Sequence, residues 1–174
     1  EVRHVETDAP EDWGKFIIYY PAEMEKEDQT YPAVVMVNGT GVYASKYPAL
    51  FQHLASWGFI VIGTEDPSTC SGDSSEAALS YLLKQNIDSD SIFYHRLDQD
   101  HIGITGHSQG GVGVFNAVEK QPHGNLYTCA VSLSPTDMEM ADAIGLHYEP
   151  KQMTVPTLLV ASDTNDVITP DGLQ

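Results

Sequence analysis

Five short apolar runs decide most of what this chain can fold into. They are Ala33–Val37 (AVVMV), Phe59–Ile62 (FIVI), His101–Thr105 (HIGIT), Thr128–Leu133 (TCAVSL) and Thr157–Ala161 (TLLVA). Their apolar residues follow one another instead of alternating with polar ones, which is the mark of strands buried on both faces. Lys15–Tyr20 (KFIIYY), closed by Pro21, reads as a further strand, and His4 falls in a frayed terminus ahead of it. Helical spacing fills the gaps. One segment, capped by Ser45, carries Leu50, Leu54 and Trp57 on one face; Glu76–Gln85 turns Leu79, Leu82 and Leu83 inward; Val112–Val118 forms a third. Apolar strands alternating with amphipathic helices predict an α/β fold, a mostly parallel central sheet with helices on both faces. Sites in such sheets gather beyond the carboxyl ends of the strands.

Charge narrows the function classes. Asp and Glu number 25 against 8 Lys and Arg, a net charge of −17, which repels phosphate backbones and argues against nucleic acid as a partner. No apolar run approaches the roughly 20 residues of a membrane span. Cys70 and Cys129 lack metal-ligand spacing and read as free thiols, with a disulfide between them as the lesser alternative. Asp88, Asp90, Asp98 and Asp100 lack the glycine and distal glutamate of a calcium loop and read as turn formers. The chain opens on Glu1, which tilts toward an exported protein whose leader has been removed, while localisation stays open.

The chemistry begins at Gly106-His107-Ser108-Gln109-Gly110, a G-x-S-x-G directly after a strand and opening a helix. A serine on so sharp a turn sits in strained backbone, and side chains two positions away on either side would clash. The blander alternative is a glycine-rich turn whose serine only caps the helix. Ser108 as a nucleophile needs two donors for the oxyanion of acyl transfer. The backbone N–H of Gln109 is one. The Asn38-Gly39-Thr40-Gly41 loop, after an early central strand, stands where the other belongs, and as a plain glycine-rich turn it reads equally well on spacing alone. Asn38-Gly39-Thr40 also matches a glycosylation sequon, in a loop ill placed to accept a glycan.

IGITGHSQGG resembles the elbow of α/β-hydrolases, especially the branch of polyester hydrolases and cutinase-like, chlorophyllase-like and dienelactone hydrolase-like serine esterases. The likeness runs from about Tyr31 to Pro170 and includes VVMVNGTG, HLASWGFIVIGTED and VPTLLVASDTNDVITP. It implies a carboxylic ester hydrolase working through an acyl-enzyme at Ser108, on small or polymeric esters, with no cofactor or metal. Thr40 then supplies the second oxyanion N–H. The family pattern sets the triad acid before an apolar pair and a proline, which selects Asp166 in DVITP over Asp163, a turn former, with Glu65 third.

The family histidine follows the acid by a few tens of residues, and none follows Asp166 here. Of the seven histidines, only His147 lies in a connection beyond a carboxyl strand end. The expectation is therefore one α/β-hydrolase domain over 1–174 that lacks its last helix, strand, histidine loop and helix, and that is inactive as it stands. The alternatives are a binding protein of this fold without catalysis, and a serine peptidase.

Overall fold

A computed structural model describes residues 1–161 of the 174. The strands are β1 (Val2–Asp8), β2 (Lys15–Pro21), β3 (Tyr31–Val37), β4 (Ile60–Thr64), β5 (Leu97–His107), β6 (Tyr127–Leu133) and β7 (Thr157–Val160); the helices are α1 (Pro48–Ser56), α2 (Asp73–Ile87), α3 (Gln109–Lys120) and α4 (Met138–Ala143). The described strands form one sheet in the order β1-β2-β4-β3-β5-β6-β7. The β1–β2 and β2–β4 pairings are antiparallel, and the rest are parallel. This is the expected fold class.

Strand alternation splits the core in two. Phe16, Ile18, Ala33, Val35, Ile60, Ile62, Ile102 and Ile104 face Ala78, Leu79 and Leu82 of α2 and Val114, Ala117 and Val118 of α3. Their neighbours Ile17, Met36 and Val61 face Phe51 and Ala55 of α1 on the other side. Gly63 lets α1 settle close, since a methyl there would stand 2.9 Å from the Phe51 ring. Helices therefore cover both faces, and the ends of β3 and β5 emerge together at the edge where Ser108 lies.

Several local expectations fail for definite reasons. His4 is not frayed: β1 pairs with β2 along its whole length, and the His4 ring stacks on Tyr19 at 5.2 Å. Its sequence, VRHVETD, has no apolar alternation because it is a half-exposed edge strand. Ser45 does not cap α1. Its N–H and hydroxyl both donate to Glu65, at 2.8 and 2.9 Å, and Tyr47 holds the capping position without a side-chain bond. Trp57 is 74% exposed, because α1 ends at Ser56 and Gly58, at φ +100°, turns the chain away before helical spacing reaches it. The β7 strand is open on both faces, with Leu158 58% exposed, since no described element packs over it. The α4 helix, with Asp137 accepting the Met140 N–H at 2.9 Å, was too short to show as a periodic pattern.

Among the described residues no helix is long and apolar enough to cross a membrane, and no three His, Cys, Asp or Glu side chains gather as metal ligands. Asp88 accepts the Asp90 N–H at 3.0 Å, as a turn former does, whereas Asp98 and Asp100 are not in a turn but open strand β5, where Asp98 accepts the Asp100 N–H at 3.1 Å. Both cysteines are unpaired, and burial pushes the Cys70 thiol up, away from thiolate chemistry.

Candidate active site

The β5 strand stops at His107 and α3 starts at Gln109, so Ser108 alone reverses the chain. Its backbone sits at φ +59°, ψ −125°, a region side chains avoid at a cost of about 1–3 kcal/mol. Two bonds hold it there: its N–H donates to the Leu133 carbonyl of β6 at 2.9 Å, and its carbonyl accepts the Gly111 N–H at 2.8 Å. The glycines leave no room for substitution. A methyl on Gly106 would strike the Gly110 carbonyl, and one on Gly110 would strike the carbonyls of Val37 and Asn38. One on Gly111 would stand 2.8 Å from the Ser132 hydroxyl. That hydroxyl donates to the Gly111 carbonyl at 2.9 Å, tying β6 to the first turn of α3.

The 38–41 loop leaves β3 beside this turn. Asn38 is fully buried, and its side-chain amide donates to the carbonyls of Val42 and Asp66 at 2.5 and 2.6 Å. Thr69 donates its hydroxyl to the Asn38 carbonyl at 2.6 Å, and Gly41 N–H reaches the Pro67 carbonyl at 2.9 Å. The Asp66–Thr69 stretch after β4 is thus the buttress of the 38–41 loop. So buried an Asn38 is closed to a glycan.

Thr40 and Gln109, at the two sides of the turn, meet through their side chains, the Thr40 hydroxyl donating to the Gln109 amide oxygen. Among the described residues the Thr40 N–H has no hydrogen-bond acceptor. Gln109, the first helical residue, has no intrahelical acceptor for its own N–H. Two free N–H groups beside a helix N-terminus favour negative charge.

Of the candidate acids, Asp163 and Asp166 lie outside the described residues. Glu65 is engaged by Ser45, as above. Among the described residues no histidine bonds the Ser108 hydroxyl. His53 lies on α1 near Trp57, His95 stacks on Tyr94, His101 bonds Asp98, His107 meets Tyr47, and His123 bonds Glu76.

His147 places Nδ1 2.7 Å from Asp142 and Nε2 3.0 Å from Glu149. Its bond to Asp142 raises its pKa above the ordinary 6.5, and the Asp142 and Glu149 charges add to this. A raised pKa means a stabilising contribution that is full below 6.5 and lost as pH climbs through the raised value. The melting-temperature difference between the parent and His147→Gln is expected to be larger at pH 6 than at pH 8.5. Equal differences at both would refute a stabilising role for the His147 pairs with Asp142 and Glu149.

Sequence reasoning missed Asn38 as the anchor of the loop, since only its sequon was visible, and it missed Tyr47, whose partners are distant in sequence.

A parallel sheet that delivers a strained serine from a strand into a helix defines the α/β-hydrolase class. The comparisons agree. A family model described as PETase, PET hydrolase-like, matches residues 1–172. The bis(hydroxyethyl) terephthalate hydrolase of Streptomyces coelicolor is 31% identical over 163 residues, 91% of this chain and 46% of its own length. The cutinase est1 of Thermobifida alba is 30% identical over 160 residues, 89% of this chain and 48% of its own. Cutinase 2 of Thermobifida cellulosilytica is 31% identical over 161 residues, 89% and 54%. The chain belongs to the PET hydrolase-like family, whose cutinase and terephthalate-ester hydrolase members are ester-hydrolysing serine hydrolases. It spans about half the length of the curated relatives it matches.

Proposed function

We propose that this chain carries the nucleophile and oxyanion hole of a serine esterase acting on carboxylic esters, small or polymeric. The observation that carries the proposal is the backbone of Ser108, held in a disfavoured conformation between a strand and a helix with free N–H groups beside it. Ser108 Oγ adds to the ester carbonyl carbon while its proton passes to a base. Thr40 and Gln109 N–H groups hold the oxyanion, and the carbonyl re-forms as the alkoxide leaves and takes that proton. Water then attacks the acyl-serine, releasing the acid and returning the hydroxyl. The acid of the triad we assign to Asp166, on its DVITP setting alone. Among the described residues none of the seven histidines present bonds the Ser108 hydroxyl, so we assign the base to none of them. The 174 residues by themselves then support negligible turnover. The esters named for the relatives, cutin-type and bis(hydroxyethyl) terephthalate, are the first substrates to try.

A fluorophosphonate probe tests this on the natural full-length polypeptide. The expected result is one adduct, on the peptide holding Ser108. No adduct in a folded protein that does contain a histidine after Asp166 would sink the esterase reading and leave a binding protein of this fold.

A further inference from the structure

The Tyr47 hydroxyl stands between the two halves of the candidate site. It lies 3.2 Å from the Gly39 backbone nitrogen, which donates to it, and 3.3 Å from His107 Nδ1. Gly39 precedes Thr40, whose N–H is the proposed oxyanion donor, and His107 precedes Ser108. The rings of Tyr47 and His107 meet edge to face, 6.3 Å apart at 66°. A methyl on Gly39 would stand 3.4 Å from the His107 carbonyl and 3.5 Å from the Tyr47 hydroxyl, so the loop and the elbow lie within one methyl's reach of each other. The other anchors of the loop, Asn38 to Asp66 and Gly41 to Pro67, tie it to the segment after β4. Two side-chain bonds tie it to the residues flanking Ser108: Thr40 to Gln109 on the helix side, and Tyr47 to His107 on the strand side.

We infer that Tyr47 is a positioning residue, setting the oxyanion loop against the elbow; this rests on the esterase reading above. One arrangement of protons satisfies all three groups. The phenol oxygen accepts from Gly39 N–H and the phenol proton goes to His107 Nδ1, which leaves the imidazole proton on Nε2. Fixing the Gly39 peptide in this way fixes the direction of the Thr40 N–H one residue on. A donor aimed at the transition state acts on kcat and leaves substrate binding nearly alone.

The test is Tyr47→Phe, which keeps the ring and removes the oxygen. On the natural full-length polypeptide, kcat for p-nitrophenyl butyrate is expected to fall about tenfold with KM within twofold, less than the 10²–10³ of losing a donor outright. Amide exchange at Gly39, read by NMR on the 174-residue chain, is expected to speed up about tenfold, a result that needs no activity. Unchanged Gly39 exchange, or a kcat within twofold of the parent, overturns the inference. Should Tyr47→Phe fail to fold, His107→Leu, which strips the hydroxyl of its second partner, is judged by the same two readings. Ser108→Ala in the same assay separates the layers: turnover surviving it defeats the esterase reading itself, whatever Tyr47 does.

Discussion

Ser108→Ala in the natural full-length polypeptide is expected to lower ester turnover by on the order of 10⁴-fold or more. The whole covalent route depends on that one oxygen. What survives is the part of the rate due to substrate binding and the two N–H donors. Melting temperature should barely move, because alanine meets the same backbone restriction at φ +59° as serine and the hydroxyl has no hydrogen-bond partner among the described residues. Ser108→Gly sharpens the result. It relieves a conformation costing about 1–3 kcal/mol and gives back roughly 0.5–1 through the freer unfolded chain, so it should melt higher than Ser108→Ala while being equally inactive. A glycine variant that melts lower would mean the turn stores no strain.

The features legible in sequence were those with a local cause. Consecutive apolar residues announced the parallel strands, and a strand-glycine-serine-glycine-helix order announced the elbow, because in both the chain's own neighbours set the constraint. Trp57 looked like a face residue only because spacing does not reveal that the helix ends at Ser56. Edge strand β1 carries no pattern of its own, being ordered by its pairing with β2. The supports of the site were the least visible: Asn38 acts through Asp66 and Thr69, and Tyr47 through Gly39 and His107. Such contacts exist only after β3, β4 and β5 lie side by side, so no local signal carries them. Thr40, reached through family likeness, and Gln109, reached from the elbow motif, were the exception, and the structure brings their side chains together.

Gly110→Ala should be among the most damaging single-methyl changes in the chain. In an exposed helix the same change gains about 1 kcal/mol, so the sign depends on what the methyl meets. Here it meets the backbone carbonyls of Val37 and Asn38, atoms that cannot rotate aside as a side-chain tip would. Either α3 withdraws from the end of β3 or the 38–41 loop does, and overpacking of this kind costs about 3 kcal/mol or more. The loss outweighs the propensity gain by about 2 kcal/mol, which at this size lowers the melting temperature by roughly 4–8 °C. Activity should fall further than stability suggests, by about 10²-fold, because either movement displaces Thr40 relative to Ser108 by something near 1 Å. Gly41→Ala is the comparison. It lies in the same loop at φ +67° with nothing within 4 Å of its added methyl, so it is charged only the left-handed conformation, about 1–2 kcal/mol. If Gly110→Ala melts as high as Gly41→Ala and keeps its turnover, the close approach of α3 to β3 is not what builds the site.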